Sequence, residues 1–128
     1  MPLSVVSTLK GNLFMRGLPF HNMKKEVLGD RYALSLVFVG NARSRQLNKK
    51  YRGKNKPSNV LSFPLGHSEG EIFLNPLRAK KDAPSFHVTT QKMLGILFIH
   101  GMLHLKGLRH SSTMEQAEKK FQKRFSLF

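Results

Sequence analysis

From about Thr89 to Leu105 the chain is apolar nearly all round, through Met93, Leu94, Ile96, Leu97, Phe98, Ile99, Met102 and Leu103. A helix with no polar face has to be surrounded, so this segment predicts a buried central helix that the other elements must cover. With 128 residues the chain has room for one domain with a real core, and residues 1–128 read as that single domain. No window reaches the roughly 18 uninterrupted apolar residues of a membrane span, and Met93 to Ile99 runs straight into a histidine motif, so a transmembrane reading is rejected.

The remaining pattern supplies what packs on that helix. Leu3 to Leu9 reads as a strand, Phe20 to Leu28 as a short helix, and Ala33 to Val39 as a mostly buried strand broken by Gly40-Asn41. A basic helix from about Ala42 to Tyr51 follows, then a loop of turn formers from Arg52 to Pro57. Val60 to Phe63 is a third strand stopped by Pro64. Glu71 to Leu74 is a fourth, spaced as in a hairpin or short crossover. Residues 76 to 88 read as a loop or frayed helix. In the last helix Met114, Ala117, Phe121 and Phe125 recur at core-facing steps, with Lys119, Lys120, Lys123 and Arg124 on a solvated face.

The central helix leads into His100-Gly101-Met102-Leu103-His104-Leu105-Lys106-Gly107-Leu108-Arg109-His110. Residues four apart share a helix face, so His100 and His104 can meet one metal ion. His110 can join them only if the helix stops: ten further residues of straight helix would carry it about 15 Å away, against zinc–nitrogen bonds of about 2.0–2.1 Å. Gly107 stands where the turn is needed, because glycine takes the left-handed conformation that often ends a helix. Ser112-Thr113-Met114-Glu115 then reads as a capping box that opens the next helix. The spacing equals that of the metzincin pattern, with Gly101 in place of the catalytic glutamate. The metal site survives there, but the peptidase base does not. Three imidazoles leave a fourth position for water, as in catalytic rather than structural zinc. The competing reading makes some of these histidines ordinary polar residues at a helix end. His21, His67 and His87 lack ligand spacing and are assigned to surface or loop.

With no cysteine, any metal must rest on nitrogen and oxygen, which suits a reducing compartment. The formal charge of +15, from 22 Lys and Arg against 7 Asp and Glu, favours a polyanionic partner, nucleic acid ahead of an anionic membrane surface. Between Asp30 and Glu69 there is no acid, while Arg43, Arg45, Lys49, Lys50, Arg52, Lys54 and Lys56 crowd one helix and its loop. Lys49, Lys50, Arg52, Lys54 and Lys56 are the candidate RNA contacts. Arg52 is singled out because a planar guanidinium can clamp a phosphate bidentately. Tyr51 beside it could stack a base or bury its ring in the core. The N-terminus lacks the pattern of a secretory signal. The absence of acids before Glu26 has some likeness to a mitochondrial presequence, but a folded strand is the preferred reading.

Tyr51-Arg52-Gly53-Lys54-Asn55-Lys56-Pro57-Ser58-Asn59-Val60-Leu61-Ser62-Phe63-Pro64, Gly70-Glu71-Ile72-Phe73 and the histidine motif occur in that order, and together they closely resemble the YbeY family of ribosomal RNA maturation endoribonucleases. The resemblance covers most of residues 30 to 125. It implies a compact α+β domain, a small mixed sheet packed with helices, and one zinc held by His100, His104 and His110. It also implies a functional Arg52 in the cleft near the metal, with RNA, ribosomal RNA or the small ribosomal subunit and assembly proteins as partners. Two departures stand out: Arg109 replaces the aspartate usual before the third histidine, and Glu71 replaces an aspartate.

The leading expectation is a zinc-dependent endoribonuclease that cuts single-stranded RNA in small-subunit maturation and ribosome quality control, with Arg52 and His104 as catalytic residues. No small-molecule cofactor and no membrane partner are expected. The expected compartment is the cytoplasm, or the mitochondrion if the source is eukaryotic. The alternative is a ribosome-assembly RNA-binding factor with a structural zinc and little nuclease activity. Peptide hydrolysis ranks third, because the peptidase glutamate is missing and the surface is basic.

Overall fold

The computed structural model describes residues 3–9, 17–107 and 112–127. Strands β1 (Leu3–Ser7), β2 (Ala33–Phe38), β3 (Val60–Gly66) and β4 (Glu69–Leu74) form one four-stranded sheet in the order β1-β2-β4-β3. β1 and β4 both run parallel to β2, and β3 returns antiparallel to β4, so the sheet is mixed, as expected. Helices α1 (Phe20–Leu28), α2 (Asn41–Arg52), α3 (Pro76–Asp82), α4 (Thr90–Leu105) and α5 (Ser112–Arg124) complete an α+β domain.

The apolar run is α4, and its burial organises the core. Thr89 opens it by accepting the Lys92 N–H at 3.1 Å, satisfying one donor that a helix start leaves unpaired. Met93 through Ile99 and Gly101 through Leu103 are all buried. On the sheet, Leu34, Leu36 and Phe38 alternate with half-buried neighbours, and together with Ile72 and Leu74 they present one face to the core. Phe20 of α1 meets Phe98 of α4 edge-on, with centroids 5.3 Å apart. The stripe of α5 is core-facing, with Met114 buried and Ala117, Phe121 and Phe125 packed against the cluster. No described helix is long and apolar enough to cross a membrane.

Several boundaries differ from the sequence reading. β1 ends at Ser7, short of Leu9. Pro64 does not stop β3, which continues to Gly66. β3 is the outer strand of the sheet order, where a residue without an N–H breaks no ladder on the open side, and the register shifts between Pro64 and Gly66 absorb it. β4 correspondingly starts at Glu69, so the link to β3 is a tight hairpin and not a crossover. Residues 76 to 88 are more ordered than a loop. Asn75 caps α3 by accepting the Arg78 N–H at 3.3 Å, Pro76 occupies its first turn, and a 3-10 turn over Ala83–Phe86 follows.

Candidate metal centre and phosphate cleft

Helix α4 carries His100 and His104 one turn apart, and their Nε2 atoms approach to 3.1 Å. The rings stand edge to face, 4.6 Å between centroids. Two nitrogens bound tetrahedrally to one zinc at about 2.0–2.1 Å would be about 3.3–3.4 Å apart, so the pair fits a shared ion with little adjustment. The helix ends as the motif requires: Gly107 adopts a φ of +94° and its N–H returns to the His104 carbonyl at 3.0 Å. His110, the third expected ligand, and Arg109 lie outside the described residues. Among the described residues no group of three His, Asp or Glu side chains could hold a metal.

A carboxylate that the sequence reading missed completes this arrangement from another helix. Glu118 of α5 places Oε1 2.5 Å from His100 Nδ1. This is the carboxylate–imidazole pairing that orients a metal-ligating histidine: with the Nδ1–H donated to the carboxylate, Nε2 is the nitrogen on the His104 side. No local sequence pattern pointed to it, because the contact pairs residues 18 positions apart on two different helices. Glu71 is on β4 opposite Phe63, and side chains alternate along a strand, so it belongs to the sheet face away from α4. Glu115 is exposed in the first turn of α5.

Gly101 has a structural reason for standing where a metzincin has glutamate. A Cβ there would lie 2.8 Å from Ser62 Oγ and 3.2 Å from both Ile72 Cδ1 and Val60 Cγ2. Ser62 Oγ donates to the Gly101 carbonyl at 3.1 Å, tying helix to strand at this point. This position faces the sheet and not the histidine cleft.

His100 and His104 line a cavity of about 640 Å³ shared with Arg52, Ser58, Asn59, Ser62 and Pro64. Arg52 comes from the last turn of α2, and the loop after it is fastened by buried polar groups. Ser44 Oγ donates to the Ser58 carbonyl and accepts the Ser58 N–H, both at 2.8 Å. Asn48 Nδ2 donates to the Lys56 carbonyl at 2.8 Å, and Asn75 Nδ2 to the Ser58 carbonyl at 3.3 Å and to Asn41 Oδ1 at 2.8 Å. These residues are polar in sequence and look like surface, yet Ser44, Asn48 and Asn75 are buried. Ser44→Ala removes both bonds to Ser58, and a loss of about 1–3 kcal/mol in unfolding free energy is expected. A denaturant midpoint equal to wild type would show that the clamp contributes nothing.

Lys49, Lys50, Lys54 and Lys56 are exposed on α2 and its loop, outside the walls of this cavity. Of the five candidate RNA contacts, Arg52 lines the cavity with the histidines and the four lysines do not.

These features define a class: a small mixed-sheet domain whose buried helix presents imidazoles in a cleft bordered by a basic helix. A profile of the family described as Endoribonuclease YbeY matches residues 12–127, and the chain belongs to that family. It is 35% identical over 103 residues to an Endoribonuclease YbeY of Thermotoga maritima, covering 79% of this chain and 67% of that protein. Similarity to one of Bacillus velezensis is 34% over 119 residues, covering 81% and 75%. To one of Thermodesulfovibrio yellowstonii it is 37% over 93 residues, 67% of this chain and 58% of the relative. The fold matches the solution structure of TM1509 from Thermotoga maritima with a TM-score of 0.66 and 27% identity, covering 94% of this chain and 86% of that one.

Proposed function

We propose that this protein is a zinc-dependent endoribonuclease that cuts single-stranded RNA, acting in the cytoplasm on small-subunit ribosomal RNA during maturation and quality control. The observation that carries the reading is the cavity shared by the convergent His100 and His104 and the Arg52 side chain. Its support from relatives is membership of a family described as endoribonucleases.

In this reading His100, His104 and His110 hold the ion, with Glu118 fixing the His100 ring. When bound, zinc supplies Lewis-acid polarisation of a phosphoryl oxygen and acidification of water. Arg52 binds the scissile phosphate and stabilises the charge that grows on it, through a guanidinium whose geometry matches two phosphate oxygens. Among the described residues lining the cavity there is no carboxylate. Either water attacks phosphorus and passes its proton to solvent, or the RNA 2′-hydroxyl attacks and loses its proton to solvent; in both, the 5′-oxygen departs and takes a proton from solvent, and the second leaves a cyclic phosphate on the product.

The test is cleavage of a single-stranded RNA by zinc-loaded and by chelated protein, with analysis of the product ends. Cutting by the loaded form alone is the expected result, and Arg52→Ala should slow it by about 10²–10³-fold, the usual loss for one transition-state donor. Equal inactivity of loaded and chelated protein, with RNA binding retained, would instead favour an assembly factor with structural zinc.

A further inference from the structure

The sheet face opposite α4 bears an aromatic chain with no part in the metal cleft. Tyr51, at the end of α2, is 57% exposed and lies against Phe63 of β3, centroids 5.1 Å apart and planes tilted by 52°. Phe63 in turn meets Phe73 of β4 edge-on at 5.8 Å. Of the two uses left open for Tyr51 in the sequence, burial in the core is not the one observed: its ring is propped from beneath and open above. A large aromatic ring packed against a neighbour on one side and left open on the other suits a ring that receives another ring.

The placement supplies the rest of the argument. Tyr51 precedes Arg52, and Phe63 lies between Ser62 and Pro64, all three of which line the cleft. Side chains alternate across β3, so cleft and aromatic chain are the two sides of one outer strand. A polymer whose phosphate is held by Arg52 has its next units carried over that strand onto Tyr51. The Lys50 ammonium is 5.2 Å from the Tyr51 centroid, and exposed Lys49, Lys54 and Lys56 surround the same end of α2. Cations flanking an exposed aromatic ring match the phosphates that flank a base in a single strand. A protein partner would be served by the rings but not by that density of like charge.

We infer that Tyr51, propped by Phe63 and Phe73, is a nucleobase-stacking subsite that seats single-stranded RNA one step outside the cleft. This rests on the endoribonuclease reading and deepens it, since an unpaired base is required for stacking and a duplex is thereby excluded. On binding, Lys50 exchanges its contact with the ring for the adjoining phosphate.

The experiment titrates zinc-loaded full-length protein into a labelled 2′-O-methyl phosphorothioate oligonucleotide, which resists cleavage, and follows anisotropy. In parallel, unmodified RNA is tested for cutting. Tyr51→Ala should bind about tenfold more weakly, in line with loss of one base–aromatic stack, while Tyr51→Phe binds as wild type. An abasic oligonucleotide of equal phosphate number should bind wild type and Tyr51→Ala alike. The emission of Tyr51 gives a second readout, because the chain has 2 tyrosines and no tryptophan, and Tyr32 is buried. If wild type cuts RNA but Tyr51→Ala matches its affinity within about twofold, far below one stack, the subsite is overturned and the face is left to a protein partner. If wild type neither binds nor cuts RNA, the endoribonuclease reading itself falls.

Discussion

Gly101→Glu should destabilise the domain by about 3–5 kcal/mol and create no peptidase. Overpacking alone accounts for about 1–3 kcal/mol, because the first added carbon would stand 2.8 Å from Ser62 Oγ and 3.2 Å from two branched methyl carbons. The carboxylate would then have to remain buried without a partner or push α4 off β3, and either adds to the cost. Such a loss is a large share of the roughly 5–15 kcal/mol that holds a domain together. Gly101→Ala separates the contributions. It adds the same Cβ without the charge, and its better helix propensity returns about 1 kcal/mol, so the net loss should be small. Urea unfolding of the three proteins measures this directly. A Gly101→Glu midpoint close to that of wild type would mean that helix and strand are not in close contact at Ser62. The prediction also explains the motif: H-x3-H with glycine second is what a histidine-bearing helix requires when its next position lies flat on a sheet.

That point bears on how much the residues disclosed by themselves. α4 was legible because apolarity on all sides has one physical solution, and α1 was legible from Phe20 to Leu28 because its buried Phe20, Met23 and Val27 keep helical steps. His100 and His104 were legible as a pair because four-residue spacing is a geometric statement. The Glu118 contact was not, since nothing in local periodicity says which residue of α5 crosses α4 at His100. The persistence of β3 through Pro64 depends on which strand is outermost, a fact of topology and not of the proline. Ser44 and Asn48 were hidden for a similar reason. A helix rich in Arg and Lys looks solvated throughout, and the two polar residues that turn inward are betrayed only by the loop they bind.

His104→Ala should end RNA cleavage while the fold persists, and Glu118→Ala should leave the cleavage machinery present but poorly loaded. His104 is half-buried at the cavity wall, so truncating it exposes space to solvent and opens no hole in the core. It removes one of the two nitrogens that converge at 3.1 Å, so on the proposed three-histidine ligand set zinc should be lost to a chelator. Glu118 acts one step back. With its Oε1 2.5 Å from His100 Nδ1, it is placed to orient the ring in the proposed site. Removal of such a partner typically lowers metal affinity by about 10–100-fold. Competition with a zinc-binding dye reads that change without any RNA present. Cleavage by Glu118→Ala should then return as zinc is raised, whereas His104→Ala should stay inactive at every concentration. Glu118→Gln retains an acceptor for the Nδ1 proton and should fall between wild type and Glu118→Ala. If Glu118→Ala binds zinc as tightly as wild type, the contact between α5 and His100 is a packing feature and contributes nothing to the metal site.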